Sequence, residues 1–357
     1  MKERFLIYGS YGYTGKLIVE ECLQRGLRPV LAGRDARALE QQAEQTGLHH
    51  TAFELTDTEE AAEALRQADC GLVLHCAGPF MHTAETMAEA CLQAGIHYLD
   101  ITGEFEVIEQ IASKNERAKE AGIVMLPGVG FDVVPSDCLA RYAYEQLQSA
   151  ELLRLHILFK GGFSAGSLST AIEHFSKGGA SRKRGIITTE KTAVKTSKVY
   201  FGDTLRKTIL IPWGDLSSAF HSTGIANIEV FMALPRFARL MLKAGIIFQP
   251  LMKLGAIRRL FQNAVVKKGS GPDEQERKNG ETRILAEVFS INREYTSILL
   301  KTPEAYTLTS QTAVESAVRV MSKQVTTGFS TPSLSFGADF ILEFDGVSRE
   351  VTARKGV

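Results

Sequence analysis

Through the first third of the chain, short apolar runs alternate with segments whose apolar residues recur every three or four positions. Phe5 to Tyr8 is the kind of four-residue apolar run that a strand buried on both faces requires. Thr14 to Arg25 carries Leu17, Ile18, Cys22 and Leu23 at helical spacing and stops at Gly26. The same pattern predicts strands over 29–32, 51–55, 71–75, 97–101 and 123–126, separated by helices over 36–46, 58–68, 84–94 and 105–121. Parallel strands need helical crossovers, so this alternation predicts an α/β domain over 1–132, a parallel sheet with helices on both faces.

After Pro135 the texture changes. Strands at 152–159, 199–202 and 206–211 are set among long loops, and 286–291 with 297–302 read as antiparallel neighbours. An amphipathic helix over 313–323 is followed by the Gly- and Pro-punctuated 328–332, and the polar stretch Lys267 to Thr282 reads as an exposed loop. The expected organisation is therefore a second, α+β domain over 133–310 and a C-terminal segment, 311–357, that packs back on the first domain.

Composition narrows the function. With 44% hydrophobic and 23% charged residues the chain can bury a sizeable core, and 41 basic against 41 acidic residues give no bulk attraction to nucleic acid. Cys22, Cys70, Cys76, Cys91 and Cys138 match neither a zinc pattern nor a CxxC pair, so no metal is expected, and an odd count of thiols suits a reducing compartment. The opening run FLIY is too short for a signal-peptide core and leads straight into a glycine loop, which predicts a cytoplasmic protein.

That loop is Gly9-Ser10-Tyr11-Gly12-Tyr13-Thr14-Gly15, between the first strand and the first helix. Glycines let the backbone turn tightly and approach a pyrophosphate seated on the N–H groups of the helix N-terminus. A glycine triplet alone is a weak signal, and its place in a run of β/α units strengthens it. At the end of the second strand, an acidic residue would hydrogen-bond a ribose 2′-hydroxyl. Here Gly33-Arg34 stands there with Arg37 one turn on, and guanidinium groups suit a 2′-phosphate. NADP is the expected cofactor. Asp57, after the third strand, is either a partner for the adenine amino group or a helix cap. Cys76-Ala77-Gly78-Pro79, after the fourth strand, is a small-residue loop that can pass close to a nicotinamide.

The stretches YGSYGYTG (8–15), LAGRD (31–35), CAGPF (76–80), YLDITGE (98–104), GVGFDVVPSD (128–137), IPWGDLSSAFHSTGIANIEVFMALP (211–235) and GFSTPSLSFGADFIL (328–342) resemble the saccharopine-dehydrogenase-like oxidoreductases, in the branch that includes trans-acting enoyl reductases. The resemblance implies a Rossmann-like NADP domain, a substrate domain after it, and hydride transfer between NADPH and an unsaturated or imine-type carbon. It does not transfer the substrate. No cluster of cationic residues of the kind saccharopine's carboxylates need is evident, which favours a hydrophobic or acyl-carrier-bound small molecule; a homodimer is the expected assembly.

Strand C-terminal ends line the ligand crevice of such a sheet, which places Asp100, Thr102, Gly103, Glu104, Phe131 and Asp132 near the cofactor. Asp132 is the first candidate for moving a proton beside the nicotinamide, or else a turn aspartate. Tyr98, His75 and His82 are lesser candidates. His221-Ser222-Thr223-Gly224 offers a polar wall with His221 as a second catalytic candidate, or a well-bonded turn. Two rival readings stand beside these. Gly162-Phe163-Ser164-Ala165-Gly166 matches the G-x-S-x-G nucleophile pattern, with Asp203, Asp215 and His221 downstream in hydrolase order, but the parallel pattern lies upstream of it. The segment Arg236 to Lys268 is basic and apolar without an acidic residue, and suits an anionic membrane surface, an acidic carrier, a dimer interface or the protein's own core. A cofactor-binding peripheral membrane or scaffold protein without turnover is therefore the alternative to a reductase.

Overall fold

The apolar run at the N-terminus is strand β1 (Phe5–Tyr8), buried along its length. The chain then alternates through α1 (Tyr13–Gln24), β2 (Val30–Gly33), α2 (Ala36–Thr46), β3 (His50–Ala52), α3 (Thr58–Gln67), β4 (Leu72–His75), α4 (Ala84–Ala94), β5 (His97–Asp100), α5 (Phe105–Ala112), α6 (Asn115–Glu120) and β6 (Val124–Leu126). The computed structural model describes residues 4–160, 179–190, 195–234 and 271–356. They fall into two units, residues 1–134 with 306–337 and residues 135–305 with 338–357.

In the first unit the strands run parallel in the order β3-β2-β1-β4-β5-β6, and a short strand from the far end of the chain, Gly328–Phe329, adds a seventh beside β6. This is a Rossmann-like sheet. Successive residues of β1 serve opposite faces. Leu6 and Tyr8 pack with Val73, Tyr98, Leu65 and Met87, while Phe5 and Ile7 pack with Leu31, Leu74, Ile18 and Cys22. Each such fully buried side chain contributes about 1.5–3 kcal/mol, so both layers are needed to hold the strand. The helix Ala305–Met321 joins the second layer through Ala313, Val314, Ala317 and Val320.

One predicted helix is in fact two. The periodicity over 105–121 is interrupted at Ser113 and Lys114, where Ser113 Oγ donates to Gln110 O at 2.7 Å and Lys114 Nζ turns to Glu85 and Glu89 of α4 at 2.9 and 2.6 Å. A serine that bonds back to the preceding turn competes with the helix ladder, and the lysine's two carboxylates lie off the helical path.

The second unit opens with α7 (Val134–Gln146), whose first residue is counted with the first unit. Its sheet contains β7 (Ala150–Lys160), the hairpin β8 (Gly179–Lys183) and β9 (Ile186–Glu190), β10 (Thr196–Phe201), β11 (Thr204–Leu210), β12 (Asn227–Ala233), β13 (Glu281–Ser290), β14 (Tyr295–Pro303) and, after the short strand β15 (Gly328–Phe329), β16 (Ser348–Lys355). The order is β10-β11-β12-β7-β13-β14-β16, antiparallel except for β12 beside β7. The residues expected from 311 onward to form one segment are shared: 306–337 belong to the first unit, whereas 338–357 belong to the second and include β16. The polar stretch expected to be a loop through Thr282 holds a short helix, Glu274–Asn279, closed by a capping box between Asp273 and Glu276, and β13 begins at Glu281.

Candidate functional site

The glycine loop lies at the switch point of the first sheet, where β1 has β2 on one side and β4 on the other. Gly9 has φ +84°, and a β-carbon there would meet Ala77 at 3.0 Å, so the turns after β1 and β4 touch. Gly9 and Ser10 N–H both donate to Ala32 O, at 2.7 and 3.3 Å, fixing the turn to β2. Gly15 lies so close to the same turn that a β-carbon would be 2.2 Å from Gly9 O. The first ladder bond of α1 is Lys16 N–H to Gly12 O at 2.9 Å, so the N–H groups of Tyr13, Thr14 and Gly15 lie ahead of it.

α2 and α3 are capped by Asp35 and Asp57, and the uncapped α4, α5 and α6 carry Glu85, Glu106 and Glu116 in their first turns, whereas α1 has neither a side-chain cap nor an acidic residue in its first turn. The contrast marks the N-terminus of α1 as a seat for an anion. Tyr13 is held by an edge-on contact with Tyr306, ring centroids 5.0 Å apart, so the returning helix buttresses the loop. The Ser10 side chain is turned away: its hydroxyl donates to Gln42 Oε1 at 2.8 Å, and Gln42 Nε2 donates back to Ser10 O at 3.0 Å. Gln42 carries no sequence signal for this role. Asp57 Oδ1 accepts from Glu60 N–H at 3.0 Å, the helix-cap alternative of the two weighed for it.

At the end of β2 the side chains of Arg34 and Arg37 are exposed. Asp35 Oδ1 accepts from Arg37 and Ala38 N–H, both at 3.1 Å. The ring of Tyr11 lies against Gly33, where a β-carbon would come within 2.5 Å of Cε1, and Asp35 N–H donates to the Tyr11 hydroxyl at 3.2 Å.

Buried polar groups brace the turns after β4, β5 and β6. Glu104 accepts from Phe80 and Met81 N–H at 2.9 Å each, tying the turn that holds Cys76, Ala77, Gly78 and Pro79 to the end of β5. Thr83 Oγ1 donates to Ala77 O at 2.8 Å and lies 2.9 Å from His75 Nε2. Burial pushes the His75 imidazole down to about 3, so it is neutral at physiological pH and braces the turn.

Asp100, fully buried, accepts from Tyr98 Oη at 2.6 Å, Gly128 N–H at 2.8 Å and Thr102 N–H at 2.9 Å. Burial raises it to about 6 against the pull of those three donors. Phe131 N–H donates to Thr309 Oγ1 at 3.0 Å, and Thr312 Oγ1 donates to Val129 O at 2.9 Å, so the helix Ala305–Met321 positions the loop that carries Asp132. Asp132 is half-buried, and its Oδ2 would be 2.7 Å from a β-carbon on Gly103, so the absence of a side chain at 103 is what seats this carboxyl. Burial pushes Asp132 up to about 7.

The structure places His221 in the second unit, on the helix Asp215–Thr223, which ends at Gly224 with φ +74°. The polar wall expected there is spent internally: Ser222 Oγ donates to Asp137 Oδ1 at 2.7 Å, and Thr223 Oγ1 donates to Ala219 O. Ser164 and the basic segment 236–268 lie outside the described residues. Among the described residues, no helix is long and apolar enough to cross a membrane.

These features fit a dinucleotide: an uncapped helix N-terminus reached across glycines for the pyrophosphate, and two exposed guanidinium groups at the end of β2. Residues 5–126 match the family model of the saccharopine dehydrogenase NADP binding domain. The chain is 32% identical over 148 residues, 37% of its length, to a "Probable mitochondrial saccharopine dehydrogenase-like oxidoreductase" of Arabidopsis thaliana, and the match spans 32% of that protein. It is 28% identical over 183 residues, 48% of its length, to a "Putative trans-acting enoyl reductase" of Mycobacterium tuberculosis, spanning 44% of that protein. The matched stretch thus covers less than half of either relative.

Solved structures share the fold over nearly the whole chain. Apo saccharopine dehydrogenase (L-Glu forming) of Saccharomyces cerevisiae superposes with a TM-score of 0.66 at 10% identity, covering 98% of this chain and 100% of that one. The homospermidine synthase of Legionella pneumophila, in complex with NAD, gives 0.63 at 10% identity, covering 99% and 92%.

Proposed function

We propose that this chain, which belongs to the saccharopine dehydrogenase-like NAD(P)-binding oxidoreductases, is an NADPH-dependent reductase of a C=C or C=N bond in a hydrophobic or acyl-carrier-bound substrate. The observation that carries the reading is the combination, in one unit, of an uncapped glycine-cradled helix start, two arginines at the end of β2, and a carboxyl that holds its proton near neutrality. NADPH, when bound, supplies the hydride. The backbone of 9–15 seats the pyrophosphate, Arg34 and Arg37 meet the 2′-phosphate, and the braced turn 76–79 limits how the nicotinamide can lie.

Asp132 supplies the proton. A group that titrates near the working pH is suited to donate in the reductive direction and to recover its proton from water afterwards. The mycobacterial relative's name, an enoyl reductase, supports an enoyl group as the acceptor. NADPH oxidation followed by stopped flow against enoyl thioesters, quinones and imines tests the reading. Turnover of an enoyl thioester or imine supports it. Tight NADPH binding with no turnover of any would favour a cofactor-binding scaffold in its place.

A further inference from the structure

We propose that the Tyr11 hydroxyl is a ligand of the 2′-phosphate, so that the phosphate loop itself takes part in choosing NADP over NAD. The inference rests on the dinucleotide reading above and adds a specificity residue to it. Tyr11 stands between Gly9 and Gly12, where a side chain on an open turn would be free to project into solvent. Instead it is only half-exposed and lies back across the end of β2, on a glycine whose missing side chain makes the room, with 3.2 Å between the site of that absent β-carbon and Oη.

The hydroxyl is oriented as well as placed. Asp35 N–H donates to Oη at 3.2 Å, which occupies an acceptor site and leaves the phenolic proton to be given to something else. Tyr8, at the end of β1, has its hydroxyl committed to Phe53 O at 3.0 Å. Arg34 directly follows the glycine on which the Tyr11 ring lies, which puts the phenol and the arginine at the same end of β2.

The turn at the end of β2 therefore offers donors. Arg34 can only donate, Tyr11 has a proton to donate, and Asp35, the acidic residue in the turn, accepts from the N–H groups of α2. A bare ribose 2′-hydroxyl would call for an acceptor here. A phosphate, with three acceptor oxygens and negative charge, is the group this arrangement recognises.

The test is Tyr11→Phe, which keeps the ring on Gly33 and removes only Oη, read by calorimetric titration with NADPH, NADH, 2′,5′-ADP and 5′-AMP. A hydrogen bond to a charged group carries about a tenfold or larger effect. NADPH and 2′,5′-ADP should weaken by at least that factor while NADH and 5′-AMP bind as before. Gly33→Ala, which displaces the ring but removes no phosphate ligand, should produce the same selective loss. Equal weakening of NADPH and NADH, or no weakening, in a Tyr11→Phe protein whose melting temperature matches wild type would overturn the assignment. Wild-type protein that binds none of the four would overturn the dinucleotide reading along with it.

Discussion

Gly15→Ala sets a helix preference against a steric one, and the geometry decides between them. Gly15 is the third residue of α1, and alanine there gains up to about 1 kcal/mol in helix propensity. With no other consequence the variant would be more stable. The new methyl, however, would sit 2.2 Å from Gly9 O and 2.9 Å from Ser10 Cα and O, roughly 1 Å inside ordinary contact distance. Those are backbone atoms, and they can retreat only by straining the bonds of Gly9 and Ser10 N–H to Ala32 O.

Overpacking costs about 1–3 kcal/mol, and a 2.2 Å approach to a backbone oxygen belongs in the upper half of that range, about 2–3 kcal/mol, so a net loss of about 1–2 kcal/mol remains after the propensity gain. At roughly 2–4 °C per kcal/mol for a unit of this size, the melting temperature should fall by several degrees. Any relief must come from the loop moving outward, which lifts the N–H groups from their places around an anion, so NADPH affinity, followed by its fluorescence, should fall in parallel. Gly12→Ala, whose methyl would meet Gly9 O at 3.1 Å, should disturb both quantities less. A Gly15→Ala protein as stable as wild type and equal to it in NADPH affinity would refute the close packing of α1 on the turn.

Arg34→Ala should weaken NADPH by roughly 10- to 100-fold, as expected for a charge-assisted phosphate contact, and leave NADH nearly unchanged; equal losses would exclude the phosphate role. Glu104→Gln keeps one acceptor for Phe80 and Met81 N–H but opposes the other with an amide donor, so stability should drop by about 1–3 kcal/mol, measured by urea titration, with NADPH affinity falling too. Asp132, raised from 3.8 to about 7, favours the folded state fully below its unfolded value, and that contribution is lost as pH rises through about 7. His75, held down to about 3, acts oppositely, stabilising above its ordinary value and losing that as pH falls. The informative quantity is therefore the difference between wild type and Asp132→Asn. It should decline from pH 4 to 7 in melting curves, and the variant should lose the limb near pH 7 in the rate profile of reduction; a constant difference would show that Asp132 titrates as an ordinary surface carboxylate.

The first unit was legible in the sequence because its strands are buried on both faces and its helices on one, and each condition writes its own period into the order of apolar residues. From Phe5–Tyr8 to Val124–Leu126 the elements fall within a few residues of the expected places. The positions of the glycine loop, between β1 and α1, and of Arg34, just past β2, were equally readable, since each follows from where a buried strand ends. The break at Ser113 and Lys114 was not, because it is imposed by carboxylates on another helix.

Only the tertiary structure could decide what long-range partners do to a side chain. Residues 306–337 cross back to the first unit, so that Thr309 and Thr312 hold the loop carrying Asp132 and Tyr306 holds Tyr13. Ser222 and Thr223, which read as a polar wall, are consumed by Asp137 and by their own helix. Tyr11 looks like a loop filler until Gly33 is found beneath its ring. Local periodicity follows from which face of an element is buried, and a sequence records that residue by residue. The partner of a buried hydroxyl or carboxyl lies tens or hundreds of residues away, and its identity is fixed only when the chain has folded.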